Sequence, residues 1–171
     1  MTRPALIACA AAALSLAGCR KPPTTPDAPP TACAAHAALE QLDTRVAVPL
    51  LPMMANHQKR NMRDHLLAVQ EIVLAAGRDD FSAVEAAVGR IGYSPQMGQM
   101  CTHMGAATPG LTEQALAFHR TADTIASAAR QHDRSAVMRA LGTTLQACTG
   151  CHETFRQRVV DQTTWSQLTA P

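Results

Sequence analysis

The sequence predicts an all-α fold, an antiparallel four-helix bundle. Three observations carry this. Apolar residues recur at helical spacing over four segments. Alanine is abundant throughout, while Pro and Gly gather mainly in the first thirty residues and around 92–110. The connections between the segments are short, which favours antiparallel neighbours. No strand-like alternation of useful length and no internal repeat is visible.

The first helix is expected from Pro52 to Ala76. Proline suits its first turn, Gly77 stops it, and Leu51, Ala55, Met62, Leu66, Val69, Val73 and Ala76 form its apolar stripe. The second, over 80–91, carries Phe81, Val84, Val88 and Ile91 and is broken by Gly92-Tyr-Ser-Pro. Residues 96–104 suit a helical turn or two before Thr108-Pro109-Gly110. The third helix, over 112–131, buries Ala115, Phe118, Ala122, Ile125 and Ala129. The fourth, over 133–159, opens on Asp133 as N-cap. Its stripe is Val137, Leu141, Leu145, Cys148, His152, Phe155 and Val159. Segment 33–48 is expected to add a short helix.

The chain's 171 residues suffice for one domain with tails. With 47% hydrophobic and 16% charged residues, it can form a core. A net charge of +2 without a long basic run argues against a nucleic-acid binder that neutralises phosphates. Aromatic residues make up only 3%. A core of Ala, Leu, Val and Met is thin and leaves room for a bulky buried cofactor.

The N-terminus reads as an export signal. Arg3 gives a positive start and Ala5 to Leu16 an apolar stretch, and Leu16-Ala17-Gly18-Cys19 follows as a small-residue cleavage site. The apolar run is too short for an ordinary membrane span. The segment resembles a bacterial lipoprotein signal, which implies cleavage before Cys19 and acylation of that residue. Residues 1–18 are then the signal peptide, 19–32 a lipidated Pro-rich tether, extended and semi-rigid, and 33–171 the folded domain. The expected location is the periplasmic face of a bacterial membrane, with Arg20 leaning towards the outer membrane.

Cys148-Thr-Gly-Cys151-His152 is the chemical centre. C-x-x-C-H is the attachment signature of a c-type haem. Two thiols three residues apart on a helix reach the two vinyl groups of one porphyrin, and the adjacent imidazole can ligate the iron. Two other uses of these residues compete. A thioredoxin-like pair normally opens a helix after a strand, where the dipole lowers the thiol pKa, whereas this pair lies near a helix end. A zinc site would need a fourth ligand such as His119 or His103.

The last helix ends Cys148-Thr-Gly-Cys-His152-Glu-Thr-Phe155-Arg156. It resembles the C-x-x-C-H-x-x-[FY]-R ending of class II c-type cytochromes, the cytochrome c prime family, over about 50–160. The resemblance implies a four-helix bundle with one covalent haem c attached near the end of the C-terminal helix. Cys148 and Cys151 would carry the thioethers and His152 would be the proximal ligand. Phe155 would pack on the haem or its helix, and Arg156 would lie near the proximal face. The family's first helix often carries Arg-Gln-x-x-[Met/apolar]. This chain departs from it with His57-Gln58-Lys-Arg-Asn-Met62, where Lys59, Arg60 or Arg63 could replace the missing Arg.

The sixth ligand separates the family's two roles, electron transfer with a filled distal position and gas binding with an open one. Met62 is the distal expectation and Met54 the alternative, with His65, His57 and His119 as imidazole candidates. Met97, Met100 and Met104 are expected to pack in the loop rather than bind a soft metal such as Cu(I). Cysteine arithmetic supplies a further expectation. Cys9 leaves with the signal, Cys19 takes lipid, and Cys148 and Cys151 take haem, so Cys33 and Cys101 are expected to form a disulfide in an oxidising compartment.

The leading functional expectation is a lipid-anchored periplasmic electron-transfer protein that is not an enzyme, since no nucleophile–base pair or catalytic carboxylate pair is visible. Its partners would be redox proteins of the cell envelope and the membrane, not nucleic acid, and a homodimer is compatible. A gas-binding (NO/CO) high-spin cytochrome c prime is the alternative. A haemless metal- or thiol-binding lipoprotein ranks third.

Overall fold

The structure, a computed structural model, describes residues 40–170. Residues 44–170 belong to one compact unit, and of the residues before it only 40–43 are described. Cys19 and Cys33 therefore lie outside the described residues.

This unit runs in the order β1 (Val46–Leu50), α1 (Pro52–Ala76), α2 (Phe81–Val88), α3 (Pro95–Gly105), α4 (Leu111–Arg130), α5 (Arg134–Thr154), β2 (Phe155–Val159) and α6 (Gln162–Leu168). The unit is mostly helical. α1 packs on α2, α2 on α4, α4 on α5, and α5 back on α1, so the contacts close a ring of four helices. α3 packs on α4.

Local chemistry sets the helix starts. Pro52 opens α1 behind an extended Leu51. The Asp80 carboxylate accepts a hydrogen bond from the Ala83 amide at 3.1 Å, and the Ser94 hydroxyl accepts one from the Met97 amide at 3.1 Å. The Asp133 carboxylate accepts from the Ala136 amide at 2.9 Å, the cap expected for α5. Gly110 takes φ +83°, a left-handed conformation that glycine adopts without strain, where the chain turns into α4. Gly105 serves close approach instead: a β-carbon there would collide with the Thr112 hydroxyl, so α3 could not end against the start of α4.

Several expectations are corrected. The last long helix stops at Thr154 rather than 159. Phe155 turns extended (φ −119°, ψ 148°), and residues 155–159 form a strand. β2 pairs parallel with β1, Val46 opposite Phe155 and Leu50 opposite Val159. Strands were not expected; within segment 33–48, residues 40–42 are helical and 46–48 belong to β1. The physical reason is tertiary. Extension buries Val48 and Leu50 beneath the helices while β1 and β2 satisfy each other's backbone groups. Pro49 is tolerated because a two-stranded sheet has only edge strands. Segment 96–104 lies in the eleven-residue helix α3, longer than a turn or two. α6, held by the buried Trp165, was not foreseen.

The core falls into two clusters. The larger includes Ala68, Ile72, Val84, Ile91, Phe118, Ile125, Val137 and Leu141. The smaller comprises Val48, Leu50, Ala55, Met104, Leu111 and Phe155. The α1 stripe is correspondingly rotated from the expected one. Ala68, Ile72 and Ala75 are buried, whereas Met62, Leu66 and Val73 are exposed. On α5, Val137 and Leu141 are buried as expected, but Leu145 and His152 are exposed.

Candidate cofactor site

A cavity of about 340 Å³ draws its walls from both clusters. That is within the range of ligand pockets, roughly 300–1,000 Å³. α1 contributes Gln58, Asn61, Met62, His65, Leu66 and Val69. α3 contributes Met97, Met100, Cys101 and Met104, and α4 contributes Leu111, Ala115, Phe118 and His119. α5 contributes Leu145, Cys148, Cys151 and His152. The exposure of Met62 and Leu66 now has a cause: they are apolar residues on the wall of an open space. Met97, Met100 and Met104 follow the i, i+3, i+7 spacing of one helix face and turn it to the cavity.

Cys148 and Cys151 lie one helical turn apart on this wall, with His152 beside them. Cys148 packs against the larger cluster and Cys151 against the smaller, so the motif bridges the two. Beside Gly150 a β-carbon would meet nothing within 4 Å, so space is open over the backbone between the thiols. Burial pushes both thiols up, and the neighbouring Cys148 raises Cys151 further. An attacking cysteine has the opposite shift. Among the described residues, no group of three or more His, Cys, Asp or Glu could hold a metal ion by itself. Two thiols and an imidazole on a predominantly apolar wall fit a haem.

Residues 106–156 match the family model for cytochrome C′. The matched stretch contains α4 and α5 with Cys148, Cys151, His152, Phe155 and Arg156. Over these residues the chain is similar to the class II c-type cytochromes. No curated protein and no solved structure matches the chain. The family match supports a haem-binding cytochrome of the electron-transfer or gas-binding kind.

The other expected site residues divide. Met62 reaches the cavity wall, whereas its alternative Met54 packs against the smaller cluster. Phe155 is buried in that cluster, against which Cys151 packs. Arg156 is half-buried on β2, opposite Ala47. Lys59, Arg60 and Arg63 are exposed and do not line the cavity. Gln58 does line it, and its side-chain oxygen accepts a hydrogen bond from Gln157 on β2. His57 pairs with Asn61 at 3.2 Å. Cys101 is a buried cysteine on the cavity wall, and its expected partner Cys33 is not among the described residues.

Two histidines line the cavity as well. His119 is buried, and its Nδ1 donates to the Ile91 carbonyl at 2.7 Å. His65 stacks on Phe118, with ring centroids 4.9 Å apart, and stands edge-on to His119 at 5.5 Å. Burial pushes His65 down to about 4, with the nearby His119 adding to the effect. Burial also lowers His119.

Arg45 and Gln157 escaped the sequence reading. Arg45 Nη1 donates to the His152 carbonyl at 3.0 Å and the Phe155 carbonyl at 3.5 Å. It thereby ties the end of α5 to the residue preceding β1. Its only sequence signal is a cation just ahead of a β-branched stretch, which carries meaning only once the strand pairing is known.

Proposed function

We propose that the chain is an electron-transfer cytochrome that holds one haem c covalently in the cavity. The supporting observation is that Cys148, Cys151 and His152 share one wall of an apolar cavity lying between two core clusters. Cys148 and Cys151 would carry the thioethers and His152 would be the proximal ligand. The bound haem supplies reversible one-electron chemistry at its iron.

The chain's own residues hold and shield it. α1 and α4 form the walls facing α5, and the methionines of α3 exclude water from a third side. Arg45 steadies the turn that carries His152 by engaging its carbonyl. The ring of packed helices α1, α2, α4 and α5 is the proposed antiparallel four-helix bundle. No substrate turnover is assigned to it. In the envelope it would exchange electrons with other redox proteins, anchored to the periplasmic face of a membrane through acylated Cys19 and the tether. The expected Cys33–Cys101 disulfide would fix the start of the folded domain to α3.

A filled sixth position favours electron transfer, and for it the cavity offers sulfur from Met62 and nitrogen from its histidines. If that position is open, the apolar Leu66 and Val69 on α1 favour the second reading, gas binding. Haem staining after denaturation, followed by ferric spin-state measurement, tests the proposal. Denaturation-resistant haem with a low-spin ferric spectrum is expected. A high-spin spectrum would move the assignment to gas binding, and absent haem would reject both.

A further inference from the structure

We propose that His119 supplies the sixth ligand, an imidazole nitrogen, and that His65 and Phe118 hold its ring in place. This rests on the reading of the cavity as a haem site.

The tautomer of His119 is fixed by its neighbour. A backbone carbonyl can only accept, so the 2.7 Å contact to Ile91 puts the His119 proton on Nδ1. Nε2 then keeps its lone pair. A hydrogen bond from one ring nitrogen to a backbone carbonyl fixes orientation and raises basicity at the other, the usual support for a metal-ligating histidine. Ile91 is itself fully buried in the larger cluster, so the acceptor is rigid.

Packing adds to this. Phe118 and His65 both stand edge-on to the His119 ring, at 5.0 and 5.5 Å between centroids. His65 is in turn stacked on Phe118. His119 is only 3% exposed yet belongs to the cavity wall. Met62, the sulfur expectation, is 39% exposed. Its unbranched side chain would have to be ordered before it could ligate. Of the two donors, the imidazole is the one already immobilised.

The experiment uses full-length protein matured with haem, oxidised, and examined by optical and electron spin resonance spectroscopy. Wild type should be low-spin, without a thioether-to-iron charge-transfer band. His119→Ala should lose the low-spin signal, bind carbon monoxide when reduced, and recover a low-spin spectrum on addition of imidazole. His119→Gln, which keeps a donor for Ile91 and much of the volume, should also lose the signal, separating ligation from packing. Met62→Leu should stay low-spin.

A high-spin wild type, a low-spin His119→Gln, or loss of the low-spin signal in Met62→Leu alone would overturn the proposal. Denaturation-resistant haem is measured on each protein in parallel. A wild type without it would reject the haem reading itself. A wild type with it and a low-spin His119→Gln would reject only His119. Haem missing from both His119 variants alone would also count against ligation, because thioether attachment does not require the sixth ligand.

Discussion

At the residue scale, the site combines two thiols, an imidazole and a cation that no motif contains. The C-x-x-C-H motif was legible because its chemistry is local: the spacing alone sets the reach of the thiols. Arg45 was not, because its acceptors lie 107 and 110 residues away. A cation at a helix C-terminus contributes roughly 0.3–1 kcal/mol at an exposed position. Arg45→Ala should therefore lower stability by about that amount and loosen the last turn of α5. Urea unfolding, with amide exchange at Cys151 to Phe155, measures both effects. Arg45→Lys should recover much of the stability. Met62 shows the limit of a stripe argument. Its helical spacing correctly marked an apolar face, but that face lines the cavity rather than the core.

At the scale of elements, the helices were legible and the strands were not. Asp133 was read as a cap because a cap acts within one turn; Asp80 and Ser94 cap their helices by the same local rule. The extended state of Phe155–Val159 depends on a partner strand more than a hundred residues earlier in the chain, and helical periodicity cannot report that. Leu50 carries the consequence. It is fully buried, and Leu50→Ala should cost about 2–5 kcal/mol, read as a lower denaturation midpoint with α4 and α5 still helical. Asp161 gives a pH test. The amide of Thr164, as hydrogen-bond donor, holds its carboxyl below the ordinary value of 3.8. A depressed carboxylate stabilises the fold above the unfolded pKa and loses that contribution as pH falls through the folded one. The stability difference between wild type and Asp161→Ala should thus be constant near neutrality, begin to shrink as pH falls to about 3.8 and be lost at still lower pH, followed by the fluorescence of Trp165.

For the whole molecule, the unusual feature is a core divided by a cavity. Five aromatic residues in 171 cannot fill the space between four helices, and composition had already pointed to room for a cofactor. The walls of that room were only partly legible, since α3 brings its methionines and Cys101 to the cavity through a close approach at Gly105 that no local pattern encodes. No helix among the described residues is long and apolar enough to cross a membrane. The proposed anchor is acylated Cys19. Cys19→Ser should remove the acyl chains and shift the protein from the membrane to the soluble fraction. Immunoblotting of separated fractions gives the answer, and undiminished membrane association would reject the anchor.

The central claim is covalent haem on one helical turn, and peptide mass spectrometry tests it most directly. Protein matured in a host with c-type haem assembly is alkylated, digested with trypsin and analysed for the peptide of residues 140–156. One haem is expected on that peptide, with neither Cys148 nor Cys151 alkylated. Two alkylated cysteines and no added haem would contradict it.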